Sequence, residues 1–293
     1  MPPLTTILTS VTLDPVALVV IVLAGTLYAR GLAVSRRLGL PWPVRRSLAF
    51  YALGLGSLAW VSFGFLGAFS SDLRWAFAAR VALLLFAVPA FVSLGRPLVL
   101  ARQSMGSTGV HRLDAVLNSR LIRFTGNAVF EPIFGVALFM LFLTRFAGEV
   151  RTNQAAEWAI TLLIPAIGLI TILPIFENIA HHTSFFVTFE FVLAFAALVF
   201  DPIPGIVLRL SETVIDPLSR VSTVFSWMPN PLRDQQLAGD LLWFIAEIVD
   251  VPILIILIIR WSRIDRQEAT SIDELDDDEF EALASQHLRG PER

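Results

Sequence analysis

Long apolar runs of near-bilayer length recur along this 293-residue chain, and no other feature constrains its fold as strongly. A helix crosses the hydrocarbon core with about 20 mostly apolar residues, rising about 1.5 Å per residue. Runs that meet this requirement lie at Pro15 to Val34, Leu48 to Phe69, Trp75 to Leu94, Asn127 to Phe146, Trp158 to Phe176, Ser184 to Phe200 and Leu241 to Ile259. With 55% of residues apolar and a mean hydropathy of +0.70, a soluble domain is excluded. The expected fold is all-α: a polytopic membrane protein whose seven-transmembrane-helix bundle occupies residues 1–266.

Arginine, present without any lysine, sets the expected orientation. Arg30, Arg36, Arg37, Arg45 and Arg46 crowd the first connection and Arg96, Arg102, Arg112, Arg120 and Arg123 the third, while Arg260, Arg263 and Arg266 follow the last span. The positive-inside rule places these on the cytoplasmic side, with the N-terminus outside and the C-terminus cytoplasmic. Residues 267–293 carry nine Asp or Glu against two Arg, which reads as an acidic, disordered cytoplasmic tail. The long connection from Asp201 to Gly239 is punctuated by five prolines, and Ile206 to Leu218 reads as a short amphipathic helix lying on the membrane, either a lid over the outer mouth or a spacer. Pro89, Pro165, Pro174 and Pro252 interrupt spans and free backbone carbonyls that need other partners.

Ionisable groups inside apolar spans are costly, and by default they mark function. Asp240, Trp243, Glu247 and Asp250 fall on one helical stripe at the start of the last run, and Glu190 lies within the sixth. Arg80 is the one arginine well inside a span. The spacing suggests an intramembrane polar site in which Arg80 pairs with Asp240 or Glu247. Such a stripe suits a proton or cation path, and it equally suits acids that tie helices together. Glu177 and His181 stand four apart, with His182 following, so these three are the candidate ligands for a divalent metal, although interfacial polar residues take the same pattern. The chain has no cysteine, which excludes disulfides and thiolate metal sites, and it has no phosphate-binding loop, serine elbow or zinc-protease helix. Nothing supports an enzyme, and nothing points to nucleic acid.

The segment running from Asp234, Gln235 and Gln236 through Gly239, Asp240, Trp243 and Glu247 to Arg260, Trp261, Asp265, Arg266 and Glu268 resembles the last-span signature of the CtaG-type (caa3-type) cytochrome c oxidase assembly proteins. Val88-Pro89 through Leu94-Gly95-Arg96-Pro97 is similar to that family's proline-containing third span with its Leu-Gly-x-Pro turn. The resemblance covers residues 15 to 268. It implies a multi-pass protein of a bacterial cytoplasmic membrane that assists assembly of a haem-copper oxidase, with the bilayer and oxidase subunits as partners and copper as the implied cargo. The family's two third-span histidines fall here on Phe77 and Val81, and the fifth span has no histidine, so no metal ligand carries over. A diverged assembly or accessory factor is therefore expected, in which Arg80 stands in for a metal's charge toward the acidic stripe. The alternative is a proton-coupled or metal-ion transporter using the intramembrane carboxylates.

Overall fold

In the computed structural model, the described residues are 2–120, 122, 130–177, 191–192, 195–196, 198–215, 226–228 and 230–273. All regular structure among them is helical. In chain order the helices are α1 Leu4–Thr9, α2 Pro15–Arg37, α3 Val44–Phe69, α4 Arg74–Leu94, α5 Pro97–Ser104, α6 Ser107–Leu117, α7 Phe130–Met140, α8 Phe146–Thr152, α9 Gln154–Glu177, α10 Pro202–Leu210 and α11 Pro231–Asp273. Helices α2, α3, α4 and α9 are each long and apolar enough to cross a membrane. A fifth crossing is added if α7 and α8 count as one span. Those two meet at 89°, so the run expected to end straight at Phe146 turns sharply just before that residue. Most of the expected sixth span, with Glu190, lies outside the described residues, as do His181 and His182 and the side chains of Glu177 and Asp250.

Helix α4 is the centre of the bundle: 72% of its membrane window is buried, against 17% for α2. Its composition explains the difference, since small residues (Ala76, Ala78, Ala79, Ala82) alternate with Val81, Leu84, Leu85 and Phe86 and let neighbours close in on every side. Pro89 has no amide to offer the Leu85 carbonyl, and the turn before it widens to a π-helix over Leu83–Ala87. Gly168 of α9 sits directly on that carbonyl and 2.6 Å, measured from an ideal Cβ, from Pro89 Cγ, so any side chain there would force α9 off the kink.

Helix α3 is also interrupted, by a π segment over Ala49–Leu55 and by a break at Gly64. The break releases the Phe63 carbonyl, which accepts the Thr12 amide at 2.8 Å and docks the chain leading into α2. Helix α2 itself starts at Asp14, whose Oδ1 accepts the amides of Val16 (2.9 Å) and Ala17 (3.0 Å), with Pro15 in the first helical position.

The helix expected over Ile206 to Leu218 begins instead at Pro202 and ends at Leu210, and it packs along α11 rather than lying free on the membrane. Gly205 and Gly239 meet back to back at the crossing, where a Cβ on Gly205 would lie 2.7 Å from the Gly239 carbonyl oxygen. Helix α11 contains the expected last span within 43 continuous residues, about 65 Å of helix. It exceeds the roughly 30 Å hydrocarbon core twofold and continues to Asp273, seven residues into the stretch read as tail.

Candidate functional site

Two buried polar clusters are built on the first two turns of α4. A helix start leaves its first amides without partners. Here a carboxylate from α11 supplies them: Asp234 Oδ2 accepts the Arg74 amide at 2.9 Å and Oδ1 accepts the Trp75 amide at 3.1 Å. Fully buried Gln235 extends the link, its Oε1 accepting from an Arg74 guanidinium nitrogen (2.8 Å) and from the Ile215 amide (2.9 Å), and its Nε2 donating to the Thr213 carbonyl (2.9 Å). The Arg74 guanidinium also donates to the Phe142 carbonyl. Asp234, Gln235 and Arg74 together thus fasten α4, α11, the 213–215 segment and the turn after α7. Burial pushes the Asp234 carboxyl above its ordinary range, opposed by the two amides and by the charges of Arg151 and Arg74.

Arg80, 1% exposed, forms the second cluster. One terminal nitrogen donates to Glu157 Oε1 (2.6 Å) and Ser70 Oγ (3.0 Å), the other to Asp14 Oδ2 (2.9 Å) and Thr161 Oγ1 (2.9 Å). Thr161 donates in turn to Asp14 Oδ2 at 2.8 Å. Asp14 therefore caps α2 with one oxygen and holds Arg80 with the other. The expected pairing of Arg80 with Asp240 or Glu247 is not what forms. Asp240 pairs with Arg209 of α10 at 3.0 Å, and Glu247 accepts from the Trp243 indole at 3.2 Å. The reason is geometric: Arg80 points toward α2 and α9, whereas the acids of α11 line an open groove on another side, with Trp75, Leu237, Leu241 and Phe244. The idea that Arg80 compensates the α11 stripe falls with that pairing.

Four residues that build the Arg80 cluster were absent from the candidates read in the sequence: Asp14, Ser70, Glu157 and Thr161. The signals for them are local and topological. Asp14-Pro15 is a helix-start signature, and Glu157 and Thr161 stand one turn apart at the start of the fifth span. Odd-numbered spans begin on the same membrane side, so a span-opening acid on the first or fifth run lies at the depth of Arg80 on the third.

At the opposite end of α4, the Leu94-Gly95-Arg96-Pro97 turn has its own lock. Tyr28 stacks on Phe50 at 3.9 Å and donates to the Gly95 carbonyl (2.9 Å), while the Trp42 indole donates to the Tyr28 hydroxyl (3.1 Å). Arg96 takes a left-handed conformation, φ 48°, before α5 starts at Pro97.

The residues around Arg80 do not fit a bound copper ion. Phe77 and Val81 are buried and apolar, and the oxygens of Asp14 and Glu157 that face inward are engaged by Arg80 and Thr161. Among the described residues no three His, Asp or Glu side chains group as a metal site would require.

Several apolar helices long enough to cross a membrane, packed around a central one and tied at one end by ion pairs to its buried arginine, define a multi-pass helical membrane protein. The pattern of the cytochrome c oxidase caa3 assembly factors (Caa3_CtaG) matches residues 26–264, and the chain belongs to that family. It is similar to the uncharacterized protein Mb0105 of Mycobacterium bovis and to the uncharacterized protein MT0111 of Mycobacterium tuberculosis, each 27% identical over 270 residues. Each alignment covers 87% of this chain and 40% of the relative, so the chain spans about two fifths of the length of the curated relatives it matches. No solved structure matches.

Proposed function

We propose that this chain is a non-catalytic assembly or accessory factor for a haem-copper cytochrome c oxidase in a bacterial cytoplasmic membrane, acting by contact with oxidase subunits rather than by carrying copper on its third span. The family match over residues 26–264 carries this reading. The closed ionic cluster at Arg80 supports the second half of it, since the charge there is already balanced by protein groups. The seven-span arrangement with an outside N-terminus belongs to the same proposal: it puts Asp14, Arg80, Glu157 and Asp234 together on the outer side. Arg80, Asp240, Trp243 and Glu247, with Glu190 and Asp250, remain the proposed functional polar groups, divided between a structural cluster and an open groove. Transport through these carboxylates is the weaker reading, because Asp240 and Glu247 open on a surface groove.

Deleting the gene and recording reduced-minus-oxidised spectra of membranes, with and without added copper, tests the proposal. The expected result is loss of the oxidase haem signal that excess copper does not restore. Recovery with copper would return the protein to metal delivery, and an unchanged spectrum would remove it from oxidase assembly.

A further inference from the structure

The groove on α11 is about 710 Å³ and almost wholly apolar, with Trp75, Leu237, Leu241 and Phe244 among its lining side chains. Asp240 and Glu247 are its acids, one heptad and about 10.5 Å apart along the helix, so they stand nearly in line. Their environments differ. Asp240 is matched by Arg209, whereas among the described residues Glu247 has a single polar partner, the neutral indole N–H of Trp243. Trp243 and Phe244 are themselves exposed, 45% and 61%. A face that met only acyl chains would gain nothing from a carboxylate at that depth, and an ionised acid held by one neutral donor is far from compensated.

From this we infer that the α11 groove is a docking site for a single transmembrane helix of a partner protein, apolar along its contact face and carrying one Arg or Lys that reaches Glu247. The inference rests on the contact-acting reading above and names the surface through which contact is made. Depth favours a helix over a lipid headgroup. The Arg209–Asp240 pair stands at the start of the expected last span, with Leu237 lining the groove one turn before it, and Glu247 lies two turns further into the apolar run, within reach of a side chain from a neighbouring helix but not of an interfacial ammonium group. The volume accommodates the few side chains that one helix face presents.

The full chain, labelled for energy transfer and reconstituted in phosphatidylcholine vesicles, is titrated with two synthetic leucine-rich helices of about 20 residues, one with a single arginine near its outer third and one without. The arginine helix should bind roughly tenfold more tightly, the size of one charge-assisted hydrogen bond. Glu247→Gln should abolish the difference, and Glu247→Arg should transfer the preference to a helix bearing glutamate in place of arginine. Thermal unfolding of each variant verifies that it is folded, and the charge swap keeps the test decisive if Glu247→Gln alone is perturbed. Equal binding of the two helices overturns the proposal. Displacement of the arginine helix by added phosphatidylethanolamine overturns it in favour of a lipid, and Glu247-dependent energy transfer between two labelled copies overturns it in favour of self-association. Oxidase spectra play no part in these measurements. A failed titration beside an oxidase-deficient deletion strain therefore removes the groove and leaves the assembly reading, whereas arginine-selective binding beside a normal oxidase spectrum supports the groove and removes oxidase as the partner.

Discussion

The Arg80 cluster and the α11 groove put carboxylates into similar apolar surroundings with opposite outcomes. Asp14 and Glu157 meet a guanidinium, two hydroxyl-bearing side chains and helix-start amides, all supplied by the chain itself. Glu247 meets an indole and an opening. The difference teaches that intramembrane charge carries two messages: where the protein completes the coordination, the charge organises helices, and where completion is left to something outside, the charge advertises a binding face.

The comparison is broken most severely by removing the internal cation. Arg80→Leu leaves buried Asp14 and partly exposed Glu157 without their counter-charge and should cost about 3 kcal/mol, read as loss of folded protein in detergent extracts; Arg80→Lys, lacking the fork that reaches four acceptors, should recover only part. Asp234→Ala uncovers two helix-start amides and should lower stability by about 2 to 3 kcal/mol in thermal unfolding. Asp234→Asn should cost less, and it sharpens the pH behaviour. A carboxyl whose folded pKa is raised holds more protons folded than unfolded, so its contribution to stability declines as pH rises from the ordinary carboxylate range through the raised value. The variant should lose that decline while keeping the rest of the profile. Arg96→Gly relieves a left-handed backbone and should raise stability by about 1 kcal/mol. Glu247→Gln should change the melting temperature least, within about 0.5 kcal/mol, because a surface-groove carboxylate contributes little to the fold. A large destabilisation there would make the groove part of the scaffold and erase the contrast.

Much of the fold was legible because hydropathy reports length and burial directly. The boundaries of α2, α4 and α9 fall within a few residues of the runs read from composition, and the Leu-Gly-x-Pro motif marks a real turn. The bend between α7 and α8 falls at Thr144 and Arg145, which read in the sequence as the end of a straight span rather than as a turn within one. Arg80 is buried, and the partners it meets were not legible from depth alone. Depth narrows the choice to acids near one membrane face, and both Asp240 and Asp14 satisfy it; which acid is met depends on how α2 and α9 flank α4. Asp234 and Gln235 stood out only as motif letters, and their role as a cap on a helix 160 positions away has no local signature. The helix near Ile206 packs on α11 for a reason equally hidden in the sequence: Gly205 and Gly239 each look unremarkable until they are seen to touch.

The two oxygens of Asp14 also bear on biogenesis. Arg80 follows it by 66 positions and Glu157 follows Arg80 by another 77, so the pair formed by the first and third hydrophobic segments is available long before the fifth is synthesised. A nascent chain can therefore bring its most awkward cation into the bilayer already neutralised, as an early three-segment unit, and the later arrival of Glu157 and Thr161 acts as a latch on that unit rather than as the event that first makes it tolerable to the lipid.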